Sequence, residues 1–402
     1  MGKIIQLNEA EVKKELSELV RGTVEETLNR LLDEEADRIT NAHRYERTEE
    51  RRDSRAGHYT RKLQTTSGEV ALKVPKLRTL PFETSIIERY KRRESSVEEA
   101  LVEMYLAGVS VRRVEDITEA LWGTKVSPGT ISELNKKVYV RIEAWRNRLL
   151  TTEYPYVHLD GIYLKRNWGG SIENVAVLVA LGVRADGHRE IIGASEGGKE
   201  DTQSWLGFLR HLKERGMQGV RLFVGDKCLG LVEAIGEVYP ESKYQRCIVH
   251  FYRNMFPVIP KKHMPEAMAM LKAIHAQEDR AAARRKGAEV AERFREMKLP
   301  GASKKLEEGL EETLTYTQFP RSHWTRIRTN NGIERIMREI RRRTRVVGSF
   351  PDGHSALMLV CARLRHVSSG TWNEKKYLDM EKLFQAERDA QLLGDTANWT
   401  VG

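Results

Sequence analysis

The chain runs to 402 residues, with 31% charged residues, 40% hydrophobic residues and a formal net charge of +10. That hydrophobic share excludes a disordered chain, the length predicts more than one domain, and the basic balance favours a polyanionic partner. No apolar leader opens the sequence, no run reaches the roughly 18 apolar residues of a membrane span, and the three cysteines make no disulfide framework; a soluble, intracellular protein in a reducing compartment is expected.

Residues 8–38 predict a helix, because Leu16, Leu19, Val20, Val24, Leu28 and Leu31 recur at helical spacing. The stripe fits either packing on the core or a dimer contact. Residues 41–62 are polar and arginine-rich and predict a flexible arm that contacts DNA. Residues 63–75 predict a β-hairpin turning at Ser67-Gly68. Between 96 and 145 come three short helices separated by Gly108 and Trp122-Gly123, the third opened by Ser127 as cap and Pro128 in the first turn. This is the outline of a helix-turn-helix, with Thr130, Ser132, Glu133, Lys136 and Lys137 facing a DNA groove. An ordinary helical subdomain is the alternative.

From residue 154 the texture turns to strands. Strands are predicted at 157–165, 174–183 and 189–194, with Gly169-Gly170 and Asp186-Gly187 as turns, then a helix at 202–215, a strand at 221–224, a helix at 231–238 and a strand at 243–247. The order β-β-β-α-β-α-β is that of a ribonuclease H-like core, an α/β fold on a mixed five-stranded sheet. Residues 251–327 are rich in Ala, Glu, Lys and Arg and predict an all-helical insertion. A helix resumes near 331, another spans 355–365, and a polar tail with some helix follows. The expected domains are 1–62, 63–95, 96–150, 151–250, 251–327, 328–366 and 367–402.

Three acids stand out. Asp160 and Asp226 end apolar strands, and Glu334 opens the helix that carries Arg335, Arg338, Arg341, Arg342, Arg343 and Arg345. Carboxylates on neighbouring strands and a returning helix suit two divalent ions, and magnesium prefers such oxygen ligands. The arginines suit a phosphate backbone. Asp201, Glu196 and Glu200 compete, but their segment reads as a loop and helix cap. Glu339 lies five residues after Glu334, about 500° round the helix and on another face. Cys247 and His250 form a Cys-x2-His pair, half of a zinc site with no sequence-evident second half, or a packing pair beside the acids. His250, Arg253 and Asn254 are candidates for DNA contact near the scissile bond. Trp324 either stacks on an unpaired base or fills a core.

Taken together, the segments His158-Leu159-Asp160-Gly161, Asp226 with Gly230-Leu231, Cys247-Ile248-Val249-His250 with Arg253-Asn254, His323-Trp324, Arg328 through Arg335 and Arg341 through Pro351 resemble the IS256 (Mutator-like) family of insertion-sequence transposases, of the DDE type. Gly108 through Arg112 resembles that family's helical DNA-binding region. The resemblance covers roughly residues 50–366. It implies a ribonuclease H-like fold with a helical insertion, a triad of Asp160, Asp226 and Glu334, and magnesium or manganese as cofactor. It also implies cleavage and joining of DNA at terminal inverted repeats through a bridged single-strand form and a double-stranded circle. Partners would be the repeats, target DNA and further copies of the chain, in a prokaryotic cytoplasm at the nucleoid. Cys228 departs from the pattern, since many relatives carry histidine there. A ribonuclease H-like nuclease without repeat specificity and a non-catalytic DNA-binding regulator are the competing readings.

Overall fold

The computed structural model describes residues 9–84, 86, 95–107, 111–122, 126–168, 170–198, 201–347, 349–350, 352–368 and 374–398. The chain divides into two compact units, at Val138/Tyr139.

In the first unit, helix α1 (Glu9–Thr40) lies on a hairpin of β1 (Arg55–Thr65) and β2 (Gly68–Leu77). Leu32 of α1 meets Leu63, Val70, Leu72 and Val74 in a small core, with Val24 and Leu28 at its rim. Side chains of α1 also satisfy the free edge of β2. Asn29 donates to the Ala71 carbonyl and accepts from Lys73 N, and Glu25 accepts from Ala71 N. An edge so occupied cannot template another strand. The N-terminal half of α1 keeps Val12, Leu16, Leu19 and Val20 exposed.

The predicted arm at 41–62 needs correction, because β1 begins at Arg55 and pairs with β2 from Arg55↔Leu77 to Thr65↔Gly68. The strand reads as polar because His58, Tyr59 and Thr60 are exposed and only its far end is covered. Arg55 is engaged by Asp33 and Asp37 of α1. The turn itself is Thr66-Ser67, one residue earlier than expected. Helices α2 (Ser95–Ala107), α3 (Val111–Trp122) and α4 (Pro128–Arg146) follow. Val97, Leu101, Val114 and Val126 form their core. The Gly108 turn and the side chains of Thr130, Ser132, Lys136 and Lys137 lie outside the described residues, and Glu133 is exposed.

The second unit is built on a five-stranded sheet. Strands β3 (Tyr156–Trp168), β4 (Ser171–Val183) and β5 (Arg189–Gly197) run antiparallel as a meander. Helix α5 (Thr202–Glu214) then leads to β6 (Leu222–Gly225), and helix α6 (Leu229–Val238) to β7 (Lys243–Arg246). Both late strands run parallel to β3, giving the order β5-β4-β3-β6-β7. A parallel return requires a helical crossover, which α5 and α6 supply. Strand β4 buries every residue from Val175 to Val183, as a strand covered on both faces must.

One face of the sheet carries Val157, Leu159 and Phe223 against α5 and α6. The other carries Tyr156, Leu222 and Val224 against α7 (Ile248–Met255) and the helices after it. Those are α8 (Met264–Ile274), α9 (Arg280–Glu296), α10 (Pro300–Thr313) and α11 (Trp324–Ile327), and no strand interrupts them, as the composition predicts. Helices α12 (Asn331–Val347) and α13 (Gly353–Ser368) return to the sheet, and Phe350 between them pairs with the outer end of β3. The last helix, α14 (Glu381–Asn398), is preceded by Leu378 and Met380, both buried in the α7–α11 core with Leu383. The polar composition after residue 366 gives no sign of that docking. Among the described residues, no helix is long and apolar enough to cross a membrane.

Candidate active site

Strand register brings two of the three acids side by side. The ladder between β3 and β6 ends at His158↔Val224. Asp160 lies two residues further along β3, and Asp226 is the first residue beyond β6. Side chains alternate across a strand, so Asp160 shares the face of Tyr156 and His158. Adjacent strands lie about 5 Å apart. Each carboxylate holds its own local backbone: Asp160 accepts from Gly161 N at 2.9 Å and Asp226 from Lys227 N at 2.7 Å.

Glu334 reaches the same face on α12. Its amide donates to the carbonyl of Asn330 at 3.0 Å, in the first turn. Asn330 is fully buried, and its side chain does not cap the helix. It crosses to β3 instead, donating through Nδ2 to the Leu159 carbonyl at 2.8 Å and meeting His158 Nδ1 through Oδ1 at 3.2 Å. Glu334 is one turn beyond Asn330, on the same side of the helix. Buried beneath it, Ile333, Ile336, Met337 and Ile340 fix the helix's rotation.

Cys247 closes the arrangement. Its amide donates to the Gly225 carbonyl at 2.8 Å, immediately before Asp226. Its sulfur accepts from Asn330 N at 3.2 Å. The next amide, Ile248 N, donates to the Arg328 carbonyl at 3.1 Å. The residue before each aspartate is therefore tied, directly or through one sulfur, to the residue that starts the Glu334 helix. Tyr244 adds a bond from its hydroxyl to the Asp226 carbonyl at 2.9 Å. None of these supporting roles for Asn330, Cys247, His158 and Tyr244 is evident in the sequence, because each depends on partners distant along the chain.

The electrostatics follow from burial. Burial pushes the His158 ring down to about 4, with Arg189 acting the same way and the Asn330 bond opposing. Burial raises the Cys247 thiol, backbone amides of His250, Asn330 and Val249 lower it, and the Glu334 carboxylate adds to the rise. Glu334 Oε1 is buried with no hydrogen-bond partner. His250 Nε2 lies 3.7 Å from it, beyond bonding distance. An orphaned carboxylate oxygen at the N-terminal end of α12 can serve as a ligand for a divalent cation, and carboxylate oxygens are donors that magnesium takes.

The other predicted residues distribute as follows. Arg335, Arg338, Arg341, Arg342 and Arg345 lie on the exposed side of α12, and the Arg343 side chain is outside the described residues. Arg342 meets Glu339 at 3.0 Å, and Arg363 meets the same carboxylate at 3.6 Å, so Glu339 is engaged away from the triad. Arg253 is exposed and Asn254 half-buried on α7, beyond His250. Trp324 packs on the core, donates its indole N–H to the Phe319 carbonyl at 2.8 Å and stands edge-on to Tyr316. Asp201 caps α5 by accepting from Ser204 N, Glu196 meets Arg166 at 3.4 Å, and Glu200 lies outside the described residues. Cys228 is half-buried at the start of α6.

The chain is similar to known proteins over most of its length. The sequence pattern of the family described as "Transposase, Mutator family" matches residues 1–374. The transposase for insertion sequence element ISRM5 of Rhizobium meliloti is 38% identical over 368 residues, 92% of this chain and 91% of its own length. The transposase for insertion sequence element IS256 in transposon Tn4001 of Staphylococcus aureus is 35% identical, covering 93% of this chain and 96% of its own. The transposase for IS1081 of Mycobacterium tuberculosis is 35% identical over 92% of this chain and 89% of its own. Matched over residues 1–374 by that family and over more than nine-tenths of its length by these relatives, the chain belongs to the Mutator family of transposases.

Proposed function

We propose that this protein binds the terminal inverted repeats of an insertion sequence and catalyses strand cleavage and strand transfer at a DDE site of Asp160, Asp226 and Glu334. The observation that carries the reading is the shared anchoring of three carboxylates on one sheet face, through Asn330 and Cys247. The strand order β5-β4-β3-β6-β7 with the helical insertion supports a ribonuclease H-like core, and α2–α4 support a helix-turn-helix role. Two magnesium or manganese ions held by the triad would activate the attacking water or hydroxyl and offset charge on the leaving oxygen.

The chain's own residues do the rest. Asp160 and Asp226 present oxygens from adjacent strands, and Glu334 presents Oε1 from the facing helix. The exposed arginines of α12 grip the backbone beside the scissile phosphate, which orients the phosphodiester without carrying sequence information. Arg253 and His250 extend that grip along α7. The exposed apolar stripe of α1, Val12, Leu16, Leu19 and Val20, supports self-association, which holding two DNA ends requires. Joining of the ends would proceed through a circular form, in the cytoplasm.

The test incubates purified protein with labelled DNA carrying the element's own ends, with Mg²⁺ or with chelator, and sequences the joined products. Cleavage confined to the repeat ends, dependent on Mg²⁺ and lost in Asp160→Ala, Asp226→Ala and Glu334→Ala while DNA binding persists, is the expected result. Equal cleavage of random duplex would favour a nuclease. Tight end binding without any cleavage would favour a regulator.

A further inference from the structure

The Cys-x2-His pair lacks further ligands in the sequence, but the fold supplies one. Cys247 is the residue from which α7 starts, and His250 follows it by one helical turn. Ligand atoms of Cys247, His250 and Glu334 all lie within 4.8 Å of one another. His250 Nε2 and Glu334 Oε1 are 3.7 Å apart, close to the roughly 3.3–3.8 Å between neighbouring ligands of a tetrahedral zinc ion. Two atoms in this cluster, His250 Nδ1 and Glu334 Oε1, are buried and have no hydrogen-bond partner. Buried polar atoms are normally satisfied, so the Glu334 Oε1 orphan beside His250 Nε2 calls for an absent partner.

We propose that Cys247, His250 and Glu334 form a binding site for a thiophilic divalent cation of the zinc class, separate in chemistry from the magnesium set. One sulfur, one imidazole nitrogen and one carboxylate oxygen are the ligands such ions select, whereas magnesium takes oxygen. Binding exchanges the thiol proton for the metal–sulfur bond, and that proton leaves to solvent. The thiolate and Glu334 then balance the charge of the cation, and the fourth tetrahedral position stays open to water. Occupancy draws Glu334 toward α7. The magnesium set then loses its third carboxylate, so zinc is a reversible brake on cleavage; this consequence alone rests on the proposed function.

The test uses the full chain stripped of metal by chelation and titrated with Co²⁺. One equivalent should give a near-ultraviolet thiolate-to-cobalt band, which Zn²⁺ removes. Cys228→Ser should keep the band and Cys247→Ser should lose it. His250→Gln, which disturbs no backbone bond, should weaken Co²⁺ binding by at least about tenfold, the lower end of what even an outer partner of a metal contributes. No band in the unaltered chain, a band that survives Cys247→Ser, or an affinity unchanged in His250→Gln would each overturn the site. The brake is tested separately, by adding Zn²⁺ to the Mg²⁺-dependent cleavage reaction and then a zinc-selective chelator. Inhibition that the chelator reverses supports it. Cleavage indifferent to Zn²⁺, with the cobalt band intact, removes the brake and leaves the binding site.

Discussion

Asn330→Ala is the substitution most informative about how the three acids are held. The amide must point Nδ2 at the Leu159 carbonyl, so Oδ1 faces His158 and the neutral ring carries its proton on Nδ1. Alanine removes both partners at once and leaves a carbonyl and an imidazole N–H buried. Each orphaned group costs about 1–3 kcal/mol, so the loss of stability should be about 2–6 kcal/mol. A domain's whole margin is about 5–15 kcal/mol, so the variant still folds at low temperature. Cleavage should fall further than folding does. The pin between β3 and the start of α12 is gone, and a displacement of about 1 Å at a reacting centre can lower a rate about 100-fold. Urea denaturation gives the first quantity, and single-turnover cleavage of end DNA in Mg²⁺, well below the melting temperature, gives the second. Asn330→Asp separates geometry from size: its carboxylate keeps the His158 bond, repels the Leu159 carbonyl and should raise the His158 pKa above about 4. A folded Asn330→Ala protein that cleaves at the normal rate would refute the anchoring argument.

Other outcomes follow from single features. Replacing Arg341, Arg342 and Arg343 together by Gln should lower the salt slope of DNA binding by about 0.9 for every phosphate that the helix no longer neutralises, with the melting temperature little changed. The alternative, pairing with acids of the insertion, is weakened because Glu307, Glu308, Glu311 and Glu312 are engaged by Arg295, Lys304, Arg280 with Arg284, and Lys227; a constant slope with a lower melting temperature would restore it. His158 and His275 are both pushed down to about 4 by burial, so the unfolded chain takes up their protons first. Stability is then full above about pH 6.5 and falls as pH drops toward 4, by about 3 kcal/mol per ring; urea midpoints at pH 7 and 4.5 check this, and a His275→Gln variant should show a shallower fall. Gly230→Ala would put a Cβ 2.4 Å from Thr202 N, backbone against backbone, and should cost about 1–3 kcal/mol by overpacking α5 on α6; an unchanged melting temperature would contradict that. Charging the α1 stripe with Leu16→Glu and Leu19→Glu should reduce the mass seen by light scattering to that of one chain.

The centre of the sheet was legible because β4 is buried on both faces and so reads as an almost unbroken run of Val, Ala and Leu. The same physics made Asp160 and Asp226 conspicuous, each being the first carboxylate after an apolar stretch. Strand β1 was not legible, since a hairpin covered on one face by a single helix can carry His58, Arg61 and Lys62 at no cost. The docking of Leu378, Met380 and Leu383 was hidden by the charges around them. Asn330 stands just before α12, and its side chain serves strand β3, 171 positions away at Leu159. Local spacing carries no information about such a bond.

Helix α12 joins the two halves of the chemistry. Its buried side, Ile333, Ile336, Met337 and Ile340, is held against the sheet, and this fixes the direction of Glu334. Its exposed side carries the arginines, from Arg335 beside the triad to Arg345, eleven residues and about 17 Å beyond Glu334. A helix is stiff over that length, so in the proposed function DNA pulled against the arginines would load the same body that aims the carboxylate. Asn330 stands where that load reaches the sheet. Two strands meet there, β3 through the Leu159 carbonyl and β6 through Cys247 and the Gly225 carbonyl. An apolar residue at position 330 would leave the Leu159 carbonyl and His158 without their partner and would remove the side-chain tie that resists sliding along the strand.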